Sequence, residues 1–172
     1  MKIRNFIITF VSAIALLLST ATISFAKVVG DKIILGAAVS LTGKYSSNGV
    51  HTQNGYNMAV DRINSKGGIK VGGKTYKFEI IYYDDESNPK RAAQLAERLI
   101  SQDKVEFMLG PYSSGLTKAM APVTEKYGVP MVEANGASRS LFTKGYKYLF
   151  AVLAPANLYL DVAIRTAVEL NG

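Results

Sequence analysis

Short apolar runs alternate with amphipathic stretches along most of the chain. Residues 33–39 form an apolar run without polar alternation, which is typical of a strand covered on both faces of a sheet. Further apolar runs at 76–83, 105–109, 131–134 and 148–153 predict strands, with residues at helical spacing between most of them. Strands that alternate with helices about every 25–30 residues predict an α/β fold with a doubly wound parallel sheet.

Glycine, proline and asparagine mark the expected ends of these elements. The pair at 67–68 predicts the end of the first helix, and the pair at 72–73 predicts a tight hairpin. One of residues 87–88 is predicted to cap a helix whose first turn contains Pro89. Pro122 lies inside the next helical pattern, so we expect a kink or a break about one turn before it.

Residues 1–26 have the pattern of an export signal. A basic start at 2–4 is followed by an apolar stretch at 6–18, and small residues occupy Ser24 and Ala26. The apolar stretch is shorter than the roughly 20 residues that span a bilayer. We therefore expect cleavage after Ala26 and export to the periplasm. The chain contains no cysteine, so we expect neither disulfides nor a lipid-modified N-terminus.

The formal net charge of the chain is +7 at pH 7. Lysines and arginines are scattered among acidic residues, with no basic stripe interleaved with aromatic residues. This distribution argues against a nucleic-acid partner.

Two motifs resemble ion or nucleotide sites but lack the required context. Residues 68–75 match the spacing of a phosphate-binding loop, but a helix is predicted before them and a strand after them, the reverse of what that loop needs. Asp84-Asp85-Glu86 could hold a hard cation, yet no spaced series of further ligands follows. We interpret the acidic run as helix-start residues stabilised by the helix dipole, and we expect no metal and no cofactor.

Serine hydrolase chemistry is a weaker interpretation of the serine pair Ser113-Ser114. A nucleophilic serine needs a base, and His51 is the only histidine in the chain. The surrounding sequence also lacks the G-x-S-x-G elbow. We therefore expect a binding protein and not an enzyme.

Polar and small residues collect at the expected carboxyl ends of the strands, where ligands of such sheets bind. Ser113 and Ser114 offer hydroxyls and backbone N–H groups at a predicted helix N-terminus, which favours a ligand carboxylate. Residues 135–137 can supply further donors and acceptors. Tyr45 and Tyr112 can provide apolar walls.

Four segments occur in an order that resembles a known family: 38–43 (AVSLTG), 110–115 (GPYSSG), 125–130 (EKYGVP) and 133–138 (EANGAS). Over nearly all of residues 28–172 the chain resembles periplasmic solute-binding proteins of the branched-chain amino acid (leucine/isoleucine/valine) type. The resemblance implies a type I periplasmic binding protein, in which two α/β lobes close on a small ligand. It also implies a membrane permease of an ABC transporter as partner.

The resemblance further implies roles for individual residues. Ser114, with Ser113 beside it, would hold the ligand carboxylate, and the carbonyl that receives the ligand ammonium falls on Asn135, beside Gly136. The family's threonine falls on Ala137, and the aromatic residue of its first loop falls on Asn48. Because of these two departures, the expected ligand is an amino acid, an amide or another small carboxylate.

Relatives of this type are about twice as long or longer, so we expect a partial chain. The predicted divisions are a signal peptide at 1–26, an incomplete first lobe at 27–147, and a crossing strand with the first helix of the second lobe at 148–172. We expect such a piece to bind its ligand weakly. The predicted function is solute capture for an ABC importer; the alternative is a ligand-sensing domain of a regulator or receptor with the same fold.

Overall fold

The computed structural model describes residues 28–171, so the predicted signal peptide lies outside the described residues. The strands are β1 (Val28–Val29), β2 (Lys32–Val39), β3 (Ile69–Val71), β4 (Lys74–Asp84), β5 (Met108–Leu109), β6 (Met131–Glu133) and β7 (Leu149–Ala151). The helices are α1 (Ser46–Ser65), α2 (Pro89–Ser101), α3 (Ser114–Tyr127) and α4 (Asp161–Asn171), with 3₁₀ turns at Arg139–Leu141 and Ala156–Leu158.

The strands form one mixed sheet in the order β3-β4-β2-β5-β6-β7, with β1 added antiparallel to β2. Neighbouring strands are parallel from β4 across to β7, and the β3–β4 hairpin forms an antiparallel edge. Ile34 and Ala38 of β2 pack into the core with α2 and α3, whereas Ile33 and Leu35 face α1. Helices therefore cover both faces, and the predicted doubly wound α/β fold is confirmed.

The core lies between the sheet and the pair α2 and α3. Its largest fully buried side chains come from facing elements and include Leu99, Met108, Leu116, Met120 and Met131. Fully burying a side chain of this size stabilises the fold by about 1.5–3 kcal/mol. This layer fixes the strand ends that carry the polar loops.

Most predicted element ends are confirmed. The Asn88 side chain caps α2 and accepts hydrogen bonds from the backbone N–H groups of Lys90 at 2.9 Å and Arg91 at 3.2 Å. Of the kink or break expected in α3, the break is wrong, because the helix continues through Pro122. Pro122 is exposed, so the Lys118 carbonyl that loses its helical partner there can bond to water.

The first helix begins earlier than its apolar spacing predicts. The polar, glycine-containing segment 40–49 has the composition of a loop, but its residues 46–49 form the first turn of α1. Within α1 only Gly49 and Thr52 are buried, so the start of the helix has no apolar stripe to mark it. The expected strand at 105–109 is also shorter, since only Met108–Leu109 pair with neighbouring strands.

Two apolar surfaces remain open. A hollow of about 550 Å³ lies between α1 and the sheet, lined by side chains such as Leu35, Ile63 and Val132. The apolar side chains of α4 are exposed, with Ile164 and Val168 in contact with solvent. No helix within residues 28–171 is both long and apolar enough to cross a membrane.

Candidate functional site

The loops after β2 and β4 meet at the carboxyl edge of the sheet, where Val39 pairs with Asp84. Asp84 Oδ1 accepts hydrogen bonds from the backbone N–H groups of Leu41, Thr42 and Glu86, and its Oδ2 accepts one from the Thr42 hydroxyl at 2.7 Å. Partial burial acts to raise the pKa of Asp84, but these hydrogen bonds outweigh it and hold the pKa below its usual value. Asp84 therefore fixes the first loop as a carboxylate.

Asp85, a buried side chain, also connects the loops after β2 and β4. It is fully buried, and its Oδ1 accepts hydrogen bonds from the Ser40 hydroxyl at 2.6 Å and the Ser87 N–H at 2.8 Å. Burial raises the pKa of Asp85. The dipole interpretation of the acidic run is wrong, because no acidic residue lies in the first turn of α2. These acids instead hold two loops together.

The serine pair lies at the N-terminus of α3, as predicted. Ser113 has φ 84° and ψ 144°, a backbone conformation that non-glycine residues rarely adopt and that is enriched at functional sites. The Ser113 Oγ accepts a hydrogen bond from the Leu116 N–H at 3.4 Å, and the Ser114 Oγ accepts one from the Ser138 N–H at 3.0 Å. Within residues 28–171, neither hydroxyl donates its hydrogen to a protein acceptor, so both can donate to a ligand.

The loop after β6 is held by Glu133 beneath it. Glu133 Oε1 accepts hydrogen bonds from the Asn135 N–H and from the Gly136 N–H, the latter at 2.6 Å. The carbonyl of Ala137 accepts a hydrogen bond from the Ala156 N–H at 2.8 Å. These backbone groups, expected to face a ligand, therefore serve the protein's own structure.

A hollow of about 400 Å³ opens between the start of α1 and the loops after β5 and β6. Its lining comprises Asn48, His51, Thr52, Gly55, Tyr56, Tyr112, Ala134 and Asn135. The structure thus brings together three of the predicted residues: Asn48, Tyr112 and Asn135. Ser113 and Ser114 at the start of α3, and Gly136 and Ala137 in the loop after β6, do not line this hollow. Tyr45 lies behind Tyr112, edge-on, with ring centroids 5.5 Å apart.

Sequence reasoning missed the contribution of α1 to the hollow. Asn48, Thr52 and Tyr56 follow one another at four-residue spacing, the signal of a common helix face, but the helix was predicted to start too late. The Tyr56 hydroxyl donates a hydrogen bond to the Gly110 carbonyl at 2.7 Å, and burial raises the pKa of Tyr56 well above its usual value. Tyr56 therefore ties α1 to the loop that leads to the serine pair.

Two glycines allow the close approaches that form the site. A Cβ on Gly49 would overlap the Ser40 carbonyl oxygen, so α1 packs directly on the end of β2. A Cβ on Gly110 would overlap the Glu133 carboxyl group. His51 is exposed on α1, and no cluster of three or more acidic or histidine residues within 28–171 is arranged to hold a metal ion.

Residues 32–172 match the family model described as periplasmic binding protein. The chain belongs to the periplasmic binding protein family. The resemblance to the leucine/isoleucine/valine type is confirmed.

Two curated relatives of this periplasmic binding protein illustrate the match. The leucine-, isoleucine-, valine-, threonine- and alanine-binding protein of Pseudomonas aeruginosa is 28% identical over 139 residues, which are 81% of this chain and 36% of that protein. The Leu/Ile/Val-binding protein BraC3 of Rhizobium johnstonii is 32% identical over 145 residues, which are 84% of this chain and 38% of that protein. The chain thus spans well under half the length of either relative.

Solved structures of solute-binding proteins match the same fold. The branched-chain amino acid transporter substrate-binding protein LivJ of Streptococcus pneumoniae, in complex with isoleucine, has a TM-score of 0.65 and 34% identity, over 72% of this chain and 34% of that one. A solute-binding protein of an ABC transporter from R. palustris, in complex with 4-hydroxybenzoate, has a TM-score of 0.65 and 29% identity, over 81% and 36% of the two chains. Relatives in this family are solute-binding proteins, not enzymes.

Proposed function

We propose that this chain provides one lobe of the solute-binding component of an ABC importer and holds the carboxylate of a small ligand at Ser113 and Ser114. The ligand class is an amino acid, an amide or another small carboxylate. In this proposal, residues 1–26 direct export to the periplasm, residues 27–147 belong to the first lobe, and residues 148–172 lead toward a second lobe. The partner is the membrane permease of the importer.

The observation that carries the proposal is the corner at the start of α3. The hydroxyls of Ser113 and Ser114 lie there, at the positive end of a 14-residue helix. Neither donates its hydrogen to a protein acceptor in the described part of the chain. A carboxylate accepts hydrogen bonds only, and a helix N-terminus stabilises negative charge. The unusual backbone of Ser113 adds support, because such conformations persist where function requires them.

The adjacent hollow suits a ligand whose part beyond the carboxylate is uncharged or aromatic. Aromatic and neutral polar side chains line it, and no acidic residue does. Tyr112 lines the hollow next to the serine corner, and Tyr45 packs against its ring edge-on. A ligand ammonium would therefore find no carboxylate among the lining residues.

The proposal is tested by NMR titration of residues 27–172 with L-isoleucine and with 4-hydroxybenzoate. We expect fast-exchange shifts of the Ser113, Ser114 and Leu116 amides with either probe, and weak affinity. Weak affinity follows because an open surface leaves much of the ligand in contact with water, whereas tight sites enclose most of it.

The matched comparison is Ser114→Ala against Ser101→Ala. Ser114→Ala is expected to weaken binding at least tenfold, because a hydrogen bond to a charged group contributes about 1.5–3 kcal/mol. Ser101 ends α2 at the opposite edge of the sheet, so Ser101→Ala is expected to change nothing. Equal affinity of both variants, or shifts confined to residues away from α3, would contradict the proposal.

A further inference from the structure

Glu133 is a fully buried acidic side chain where two loops of the candidate site meet. Its Oε1 accepts the N–H groups of Asn135 and Gly136, and its Oε2 lies 2.6 Å from the Thr117 hydroxyl. The same carboxyl group fills the space beside Gly110. One side chain therefore contacts the loop after β5, the loop after β6 and the first turns of α3.

The Thr117 hydroxyl has a single hydrogen but two oxygen atoms within hydrogen-bond distance. Thr117 Oγ1 carries one hydrogen, yet it lies 2.6 Å from Glu133 Oε2 and 2.9 Å from the Ser113 carbonyl oxygen. If Glu133 were ionised, both neighbours would be acceptors only, and one of the two short contacts would have no hydrogen between its oxygens.

A hydrogen on Glu133 Oε2 removes this conflict. Oε2 then donates to Thr117 Oγ1, which donates to the Ser113 carbonyl, while Oε1 still accepts both N–H groups. Every polar atom of the group has a partner in this arrangement, as expected for buried polar groups.

The surroundings of Glu133 also favour a neutral group. No ion pair formed within residues 28–171 includes Glu133. Tyr56 from α1 is the titratable side chain that faces it, while Thr117 from α3, Gly110 and Leu141 bring no charge. Burial raises the pKa of Glu133, and the hydrogen bonds that it accepts offset this only in part.

We propose that Glu133 acts as a neutral carboxylic acid that positions the serine corner against the loop at 135–138. The inference rests on the proposed function, because its purpose is to hold both loops without placing a fixed negative charge beneath a bound carboxylate. An ionised Glu133 would hold the same N–H groups but would repel an anionic ligand across a poorly solvated gap.

The protonation state is measured without any ligand, by ¹³C NMR of residues 27–172 labelled at glutamate side-chain carboxyls. The Glu133 signal is identified by its loss in Glu133→Gln. At neutral pH we expect this signal at the position of a protonated acid, while the exposed Glu97, whose pKa is lowered by hydrogen bonds from Tyr127 and Lys126, gives a carboxylate signal. A carboxylate signal from Glu133 at neutral pH would overturn the proposal.

The positioning role is measured with variants and the probe 4-hydroxybenzoate. Glu133→Gln keeps both acceptor contacts at Oε1 and donates from Nε2 to Thr117, so we expect affinity within about twofold of the parent and amide shifts at Ser113 and Asn135 close to the parent's. Glu133→Ala removes these contacts, and we expect at least a tenfold loss and displaced amide signals in both loops. If Glu133→Gln loses as much as Glu133→Ala, the negative charge itself is required and the proposal fails.

Thr117 gives a second comparison if Glu133→Ala does not fold. Thr117→Ser keeps the hydroxyl and is expected to match the parent, whereas Thr117→Val breaks the connection between Glu133 and the Ser113 carbonyl and is expected to shift the Ser113 amide. Identical Ser113 signals in the two variants would count against the proposal. If no probe binds to the parent, the proposed function fails, but the carboxyl signal and the loop amides still decide the role of Glu133.

Discussion

The carboxylate of Asp84 should contribute a part of the folding stability that is lost in acid. It accepts four hydrogen bonds from the first loop and from Glu86, and three of these bonds are exposed while the one from Leu41 is partly buried. In Asp84→Ala, water can replace the carboxylate at the three exposed donors, so the loss of each of these hydrogen bonds costs about 0.5 kcal/mol. The loss of the partly buried hydrogen bond from the Leu41 N–H costs about 1 kcal/mol. We expect a total loss of roughly 2–3 kcal/mol in the free energy of unfolding.

The sign of the pH dependence follows from the lowered pKa of Asp84 in the folded state. The stabilisation is fully present above the pKa of the unfolded chain, near 3.8, and is lost as the pH falls through the lower pKa of the folded chain. The difference in unfolding free energy between the parent and Asp84→Ala should therefore be constant at neutral pH and shrink in acid.

Thermal and urea unfolding measured from neutral pH down to acid check both expectations. A loss of 2–3 kcal/mol corresponds to a fall in Tm of very roughly 8–10 °C for a domain of this size. Asp61→Ala is the matched control, because Asp61 is an exposed acid on α1 and its removal changes the net charge equally. A difference between Asp84→Ala and Asp61→Ala below about 0.5 kcal/mol, or one that does not shrink in acid, would refute the reasoning.

Three further predictions concern single positions. Asn88→Ala removes the cap of α2 and should lower the free energy of unfolding in urea by about 1 kcal/mol. Asn88→Ser should recover most of this stability, because serine also caps helices. Equal losses in the two variants would contradict the capping role. Gly110→Ala should lower the free energy of unfolding by at least about 2 kcal/mol, because the added methyl overlaps Glu133. Gly55→Ala should raise it by up to about 1 kcal/mol, because the space around Gly55 in α1 is open. A more stable Gly110→Ala than Gly55→Ala would contradict this packing. Burial raises the pKa of Tyr82 to about 12, so its phenol should ionise late in an ultraviolet titration. The free energy of unfolding should fall as the pH rises from 10.0, the pKa of the unfolded chain, toward 12. Tyr82→Phe should reduce this dependence on pH.

The resemblance carried by residues 110–115 and 133–138 identified the family and placed the serine pair at the start of α3. The predicted elements followed from patterns that depend on near neighbours only. The cap at Asn88 and the glycine pair at 72–73 each form the expected local structure, since capping and hairpin geometry are decided within a few residues.

The sequence by itself thus determined the layered α/β fold, the positions of most helix and strand ends, and the polar character of the carboxyl edge. Tertiary structure decided which polar groups remain for a ligand. Residues 135–137 were expected to supply donors and acceptors to a ligand, but the N–H groups of Asn135 and Gly136 donate to Glu133, which is buried at the end of β6. No local pattern distinguishes this glutamate from a solvated one, because its partners Thr117 and Gly110 reach it only through the packing of α3 and β5 against β6.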